Sequence, residues 1–565
     1  MESPSRAGRV DSGARIAAAA CVLLILAKVP LLVLTSLRAR IVMDEFFQAA
    51  FSGVIHDGLY RTYDPVKTVL YAYVFDLARL VTHDAVSLVL AARLEGLLLA
   101  LIVVLLVGWI ARRLGGTASE SAFSVAVLLS FSNVMERSFR VRSDSVSVFF
   151  IAAAMTAATW PGVGAAAFSG LLAGAAFLST QKAAFAVAAL GIGWATGTLR
   201  PDSRSRATRE TLAFGAGLAS AILGYAAWFG GVGTSALVVV RMVFLSPLRF
   251  AAHALTYYTG LEIYVTQALT RNFIPFAICA AGVVLAALRA RDLSDAARRL
   301  LVVAVIVPPC VFLGVQTWPY VFVLPMVTLA VFGFEVPRAL SRRAPALASP
   351  ALLVLAAALL LSIPRNARYA GISNEDQLEV VREVESFLGP DDRYLDGTWM
   401  IATRRHAGMI WWDAQAITAV VESARRGDFT DLDGAFAEQP KVVILNYRTQ
   451  TLAPLLAKYV VGSYVRAARN ALLSGVQIDG VDPKTFECRW AGRYRLYDAK
   501  GHPWNGPLDV DGTAVDGEVQ VGLGTHRVAL RGSTGPGFLL PAGLSLPGPL
   551  PETRPPEDIF RGVYD

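Results

Sequence analysis

Long apolar runs fill the first 364 positions, and the polar residues between them are gathered into short loops. A helix needs roughly 20 predominantly apolar residues to cross a bilayer. On that measure eleven spans are expected, near 16–37, 86–110, 118–135, 145–160, 164–179, 183–199, 212–231, 272–289, 300–316, 319–335 and 348–364. The segment VLYAYVFDLARLV (69–81) is apolar but short, and Asp76 and Arg79 interrupt it. It fits an amphipathic helix lying at the outer interface better than a span. The first outer loop, about 38–85, is then far longer than an ordinary connection, and loops of that length are usually functional.

Beyond residue 364 the pattern becomes that of a soluble chain. NEDQLEVVREVESFLG (374–389) has helical periodicity, KVVILNY (441–447) reads as a short buried strand, and TLAPLLAKYVV (451–461) as another helix. GEVQVGLGTHRVALRG, amid many Gly and Pro residues, reads as short strands joined by turns. The expected fold is therefore an α-helical polytopic membrane protein with about 11 transmembrane helices and a C-terminal soluble α/β plus β-rich part. Its expected divisions are 1–364 in the membrane, 365–488 as an α/β domain, and 489–565 as a small β-rich domain with a proline-rich end.

Composition agrees. The chain is 17% charged and 55% hydrophobic with a mean hydropathy of +0.50, where soluble domains carry about 25% charged residues. Four cysteines, three of them in apolar segments, make no disulfide framework and no paired metal spacing. From Arg365 onward there are 22 basic and 26 acidic residues, net −4, which leaves 30 against 18, net +12, before it. A basic membrane part with a mildly acidic tail speaks for membrane topology and anionic lipid, not nucleic acid. The arginine-rich loops ARRLGG (111–116), RPDSRSRATR (200–209), RARDLSDAARR (289–299) and PRALSRR (337–343) fall on one side if the N-terminus is cytoplasmic. That places the tail outside. No small-x-small cleavage site follows the first apolar run, which is read as an uncleaved span.

The candidate chemistry lies at the outer ends of the spans. Asp44 and Glu45 stand just outside the first, either as an exposed loop pair or with one carboxylate as a general base, which needs partial desolvation and reach to a nucleophile. Lys67, Arg137, Arg140, Arg142, Asp144, Lys182, Arg241, Arg249 and Arg271 occupy the same side. Snorkelling to headgroups accounts for any one of them; basic residues converging beside carboxylates form a phosphate site with a base next to it. Lys28 is the exception inside a span, close enough to an end to snorkel. The six histidines are scattered, so nothing demands a metal. In the tail, Trp490, Tyr494, Tyr497 and Trp504 suit either stacking on sugars or ordinary core packing.

Several stretches, in order, resemble the GT-C superfamily of membrane glycosyltransferases, closest to its protein O-mannosyltransferase and aminoarabinose-transferase branch. MDEFFQAAFSG (43–53) is similar to that branch's Asp-Glu signature, VKTVLYAY (66–73) to its KPPLLYW element, and AARLEGLLLALIVVLLVGWIARRLGG (91–116) to its ARLPS…RRLFG helix. RSDSVSVFF and FLSTQKAAF are similar to its later outer Asp and LTKG elements, and QTWPYVFVLPM (316–326) to its YLLPLLP helix start. The chain departs from the pattern where Phe46 and Phe47 replace an arginine that often follows the acidic pair, and where KPPL has become KTVL.

The resemblance implies a membrane enzyme that moves a sugar from a polyprenyl-phosphate carrier to a hydroxyl of an outer-face glycan, lipid or protein, with inversion and no cofactor; the alanine- and arginine-rich composition suggests a bacterial inner membrane, with the periplasm outside. It implies Asp44 as catalytic base, Glu45 as a second carboxylate orienting the acceptor, and Asp144 with Arg142 across the cavity. Lys67, Arg142 and Lys182 would contact the donor phosphate, and Arg271 is added from its charge and position. Two other readings stay open: a transporter or flippase of a polyprenyl-linked lipid, and a non-catalytic sugar-binding membrane protein.

Overall fold

The computed structural model describes residues 5–56, 68–201, 204–231, 235–245, 260–314, 317–408, 414–479, 482–531, 536–546, 548–550 and 559–560. They fall into two compact units, one of Met1–Ala39, Ile55–Ala78 and Leu90–Ser373, the other of Arg40–Val54, Arg79–Val89 and Asn374–Asp565. The first outer loop thus divides, its Asp-Glu end going with the C-terminal unit.

Lipid offers no hydrogen bonds to a backbone, so apolar runs must pair their peptide groups internally as helices. Six helices among the described residues are long and apolar enough to cross a membrane: Arg15–Arg38, Ala85–Arg113, Gln181–Leu199, Arg204–Gly231, Val323–Arg343 and Pro345–Ser386. A seventh span arises if Glu262–Arg271 and Phe273–Leu288, which meet at 84°, count together. Ala118–Ser130, Ser143–Ala157 and Val163–Ser179 are shorter apolar helices, so eleven spans of full length are not reached by this measure. Residues 69–81 form a short helix, Leu70–Phe75, running into a 3₁₀ turn, Asp76–Leu80.

In the first unit, small residues set the helix spacing. A Cβ on Gly217 would stand 1.9 Å from the Ala167 carbonyl oxygen, and one on Gly170 2.0 Å from that of Phe214. Helices Val163–Ser179 and Arg204–Gly231 therefore touch backbone to backbone, as helices do where lipid gives no hydrophobic drive to association. The four arginine-rich loops come together at one end. Arg206 pairs with Asp295 at 2.6 Å and Arg299 with buried Glu210 at 2.5 Å; Arg289 reaches Glu335 at 2.8 Å, and Arg338 reaches Glu335 at 3.1 Å and the Gly115 carbonyl. The loops that charge alone put on one side share one end of the bundle.

Lys28 does not snorkel. It is 0% exposed and donates to the Ser362 carbonyl at 2.9 Å, because another helix covers it before its ammonium can reach water.

In the second unit, strands β1 (Arg393–Leu395), β2 (Arg405–His406), β3 (Pro440–Ile444), β4 (Tyr464–Ala468) and β5 (Ala471–Ser474) form one sheet in the order β2-β1-β3-β5-β4. β1 is parallel to β2 and β3, and helices Ala414–Arg425 and Thr430–Ala437 lie in the connection from β2 to β3. All five residues of β3 are buried, as a central strand covered on both faces requires. Eight more strands follow: β6 (Val476–Asp479), β7 (Lys484–Cys488), β8 (Gly492–Tyr497), β9 (Leu508–Val510), β10 (Thr513–Val515), β11 (Glu518–Val521), β12 (Gly524–Leu530) and β13 (Pro536–Pro541). They make two four-stranded antiparallel sheets, β10-β9-β12-β7 and β11-β8-β13-β6, around a core that includes Ile478, Phe486, Leu496, Val528 and Leu539. Tyr494 and Tyr497 belong to the interior, and Trp490 and Trp504 pack against the core. Burying these rings stabilises the sheets, so core packing is their observed role.

Candidate functional site

In the first unit, Arg142 is extended and Asp144 lies in the first turn of helix Ser143–Ala157. The partial positive charge of a helix N-terminus favours a carboxylate there. Asp144 is buried, with Lys182 Nζ 3.5 Å from one oxygen and Arg142 Nε 3.7 Å from the other. Both distances exceed an ordinary hydrogen bond, and Asp144 Oδ2 is buried without a hydrogen-bond partner among the described residues. Lys182 comes from the 3₁₀ turn Gln181–Ala183 between two apolar helices.

Tyr320 joins the two cations. The Arg142 guanidinium lies 3.6 Å from its ring centroid, the Lys182 ammonium 4.5 Å, and Lys182 Nζ is 3.4 Å from its hydroxyl. Stacking on an aromatic face offsets part of the cost of drying a cation. Asp144, Tyr320, Arg137 and Ser145 also line a small cavity walled by Leu128 and Val323. Arg142 and Lys182 do not line that cavity, but two cations gathered on one phenol ring beside a carboxylate are a set that can bind an oxyanion. Arg142, Asp144 and Lys182 are thus brought together as expected. Tyr320, though within the YVFVLPM stretch, is a member that charge-based reading missed.

In the second unit, both acidic residues open helix Met43–His56. Glu45 is 0% exposed and its Oε1 accepts the Val42 N–H at 3.0 Å, capping its own helix. Asp44 Oδ1 takes a 2.7 Å hydrogen bond from Arg448 Nη2. The pair is neither a loop nor exposed.

Arg448 is placed by the sheet. Past the C-terminal end of β3, the Asn446 side chain accepts the N–H groups of Arg448 (2.9 Å) and Thr449 (3.2 Å), starting helix Tyr447–Thr451. The Asn446 amide donates to the Asp396 carbonyl (3.0 Å) and Thr398 Oγ1 (3.2 Å), beyond the end of β1. Asp396 itself accepts the N–H groups of Thr398, Trp399 and Met400 at 2.7–2.8 Å. Arg448 Nε donates to the Tyr447 hydroxyl at 2.8 Å. Parallel strands commonly hold functional groups at their carboxyl ends. No sequence signal marks Arg448, which stands 404 residues from Asp44.

Lys67 and Arg249 lie outside the described residues. The next residues after Lys67 are anchored in the bundle, Thr68 Oγ1 to the Phe177 carbonyl at 3.2 Å and the Val69 N–H to the Tyr225 hydroxyl at 3.1 Å. Arg137 and Arg140 are buried, and Arg140 Nε reaches the Glu136 carbonyl at 3.1 Å. Arg271 is exposed in the last turn of Glu262–Arg271, where its backbone carbonyl accepts from Arg365. Among the described residues, no three His, Cys, Asp or Glu side chains lie together as a metal site.

A crystal structure of ArnT from Cupriavidus metallidurans bound to undecaprenyl phosphate matches 80% of this chain and 97% of its own, at a TM-score of 0.53 and 18% identity. The chain has an ArnT-like fold. The apo form of the same ArnT gives a TM-score of 0.51 at 15% identity, with the same 80% and 97% coverage. The fold class expected from the GT-C resemblance, a helical membrane protein with a C-terminal β-sheet part, is therefore present in ArnT-like form. Residues 476–541, the two antiparallel sheets, match a domain family of unknown function, DUF7055. No curated protein matches the chain.

Proposed function

We propose that this protein is a membrane glycosyltransferase that moves a sugar from a polyprenyl phosphate to a hydroxyl at the outer face of a bacterial inner membrane. The observation that carries the reading is the ArnT-like fold over 80% of the chain, since the ArnT relative holds undecaprenyl phosphate. The cluster of Arg142, Lys182 and Tyr320 beside Asp144 supports it as a place for the donor phosphate, with Lys67 as a further contact. Arg271, at the break between two helices, has the weakest support of the phosphate candidates.

In the proposed reaction an acceptor hydroxyl attacks the anomeric carbon from the face opposite the phosphate. The carbon–oxygen bond to the carrier breaks with its electron pair on the phosphate, configuration inverts, and the hydroxyl proton passes to Asp44. Arg448 holds the Asp44 carboxylate in place through the 2.7 Å hydrogen bond to its Oδ1. Glu45 would act by fixing the start of the helix that presents Asp44, a positioning role that differs from direct contact with the acceptor. The cations offset the charge that develops on the leaving phosphate, for which no cofactor is invoked. The arginine-rich end of the bundle supports a cytoplasmic N-terminus and an outer C-terminal unit.

The test is transfer of radiolabelled sugar from a membrane extract to outer-face acceptors, with Asp44→Asn checked for normal insertion. A general base is worth about 10²- to 10⁴-fold, and a loss of that size is expected. Equal transfer by the variant removes Asp44 as base. Failure of the wild-type chain to transfer from a polyprenyl-phosphate sugar removes the glycosyltransferase reading.

A further inference from the structure

Charge inside a membrane span is costly, about 2.5–3.5 kcal/mol for a lysine at a helix centre by insertion scales, and is retained where a partner or a ligand compensates it. Among the described residues Lys28 has no carboxylate partner. Its ammonium carries three donors, and the structure gives it one acceptor, the Ser362 carbonyl. The charge that acts on it is another cation, Arg365.

One turn beyond Ser362, on the same face of helix Ser362–Ala370, stands Asn366. It is 0% exposed, and both its amide nitrogen and its amide oxygen lack hydrogen-bond partners among the described residues. Arg365 is half-buried beside it, its guanidinium tied to the carbonyls of Ser130 and Arg271, with Nε unpartnered. Arg368 lies on the same helix, close enough to Arg365 to act on it electrostatically, and Glu136 is the carboxylate that acts on Arg368. Among the described residues, donors on Lys28, Asn366 and Arg365 are unmet, against one unmet acceptor, the Asn366 amide oxygen. An unmet buried polar group costs about 1–3 kcal/mol, more when charged, so the unmet donors of Lys28, Asn366 and Arg365 call for something that accepts.

We infer that Lys28, Asn366 and Arg365 form a binding site for a phosphate-type oxyanion, separate from the Arg142–Asp144–Lys182 cluster. Its oxygens accept from the Lys28 ammonium, the Asn366 amide and Arg365 Nε, and its negative charge offsets the buried lysine. The half-buried Arg365 forms the rim. Either a phospholipid headgroup or free phosphate supplies this chemistry. The inference does not depend on the glycosyltransferase reading.

The experiment uses the full chain, purified in detergent and stripped of lipid. Thermal unfolding is followed on adding inorganic phosphate, against chloride at equal ionic strength, and separately palmitoyl-oleoyl phosphatidylglycerol. The variants are Lys28→Met, Lys28→Arg and Asn366→Leu. Stabilisation of the wild type by either probe is expected, weakened at least about tenfold in half-saturating concentration by Lys28→Met and Asn366→Leu, the scale of a buried hydrogen bond to a charged group. Lys28→Arg should retain it. A response to phosphate identifies a free ion, and a response to the lipid alone a headgroup. If neither probe stabilises the wild type, or if both neutral variants respond as it does, the site is not there. Should Lys28→Met fail to fold, Asn366→Leu, which keeps the lysine, decides alone.

Discussion

Replacing Arg448 by Met removes the cation that faces Asp44 and leaves a mostly buried carboxylate behind. The Arg448 and Asp44 side chains are 5% and 13% exposed, and their atoms meet at 2.7 Å. The 0–1 kcal/mol of a surface pair does not apply. A hydrogen bond to a charged group is worth about 1.5–3 kcal/mol, and orphaning one partner of a buried pair about 3–5 kcal/mol. Because Asp44 retains some water, the expected cost is about 2–3 kcal/mol, or about 30- to 160-fold in a local opening equilibrium. Amide hydrogen exchange across 44–50 and 446–449 in the full chain reads this directly. Asp44→Asn should cost a similar amount, since it removes the negative charge that faces buried Arg448. The double variant should exchange more slowly than the two single losses multiplied, because neither charge is then left facing a neutral side chain. Losses that simply multiply would refute the pairing, as would an Arg448→Met chain that exchanges like wild type.

Burial pushes the Asp396 carboxyl up, but the His406 ring beside it and the amides of Thr398 and Met400 outweigh this and hold it below the usual carboxylate range. Its contribution to stability is then present above the unfolded value of about 3.9 and is lost as pH falls through the lower folded one. Tryptophan fluorescence on acidification should show the C-terminal unit loosening below about pH 4, and Asp396→Asn should flatten that dependence; an unchanged acid profile would exclude Asp396 as its source. In the first unit, Gly217→Ala should destabilise by about 1–3 kcal/mol, the usual cost of overpacking, because its Cβ meets a carbonyl. Gly224→Ala has nothing within 4 Å and should be neutral or slightly stabilising; thermal unfolding in detergent compares the two, and equal midpoints would count against the close crossing.

Much of the architecture was legible along the chain because its cause is local. An apolar run long enough to cross a bilayer forms a helix to pair its own backbone, and KVVILNY reads as a covered strand, which the structure forms only over Pro440–Ile444 before Asn446 caps a helix. Charge bias in short loops is also local, and it placed the arginine-rich loops on one side, where Arg206, Asp295, Arg338 and Gly115 tie them. The acidic pair and the Arg142, Asp144 and Lys182 positions could be picked out because cations and carboxylates are rare in such a chain. What the neighbours of each residue would be was not legible. Arg448 reaches Asp44 across 404 positions through loops at the ends of β1 and β3, and nothing in either segment names the other. Tyr320 looked like one more aromatic in an apolar helix start until two cations were found on its ring. Lys28 had the length to snorkel and the sequence to suggest it, yet helix Ser362–Ala370 closes over it. Hydropathy states how a residue would partition alone, whereas burial and pairing depend on which surfaces meet, and tertiary packing alone decides that.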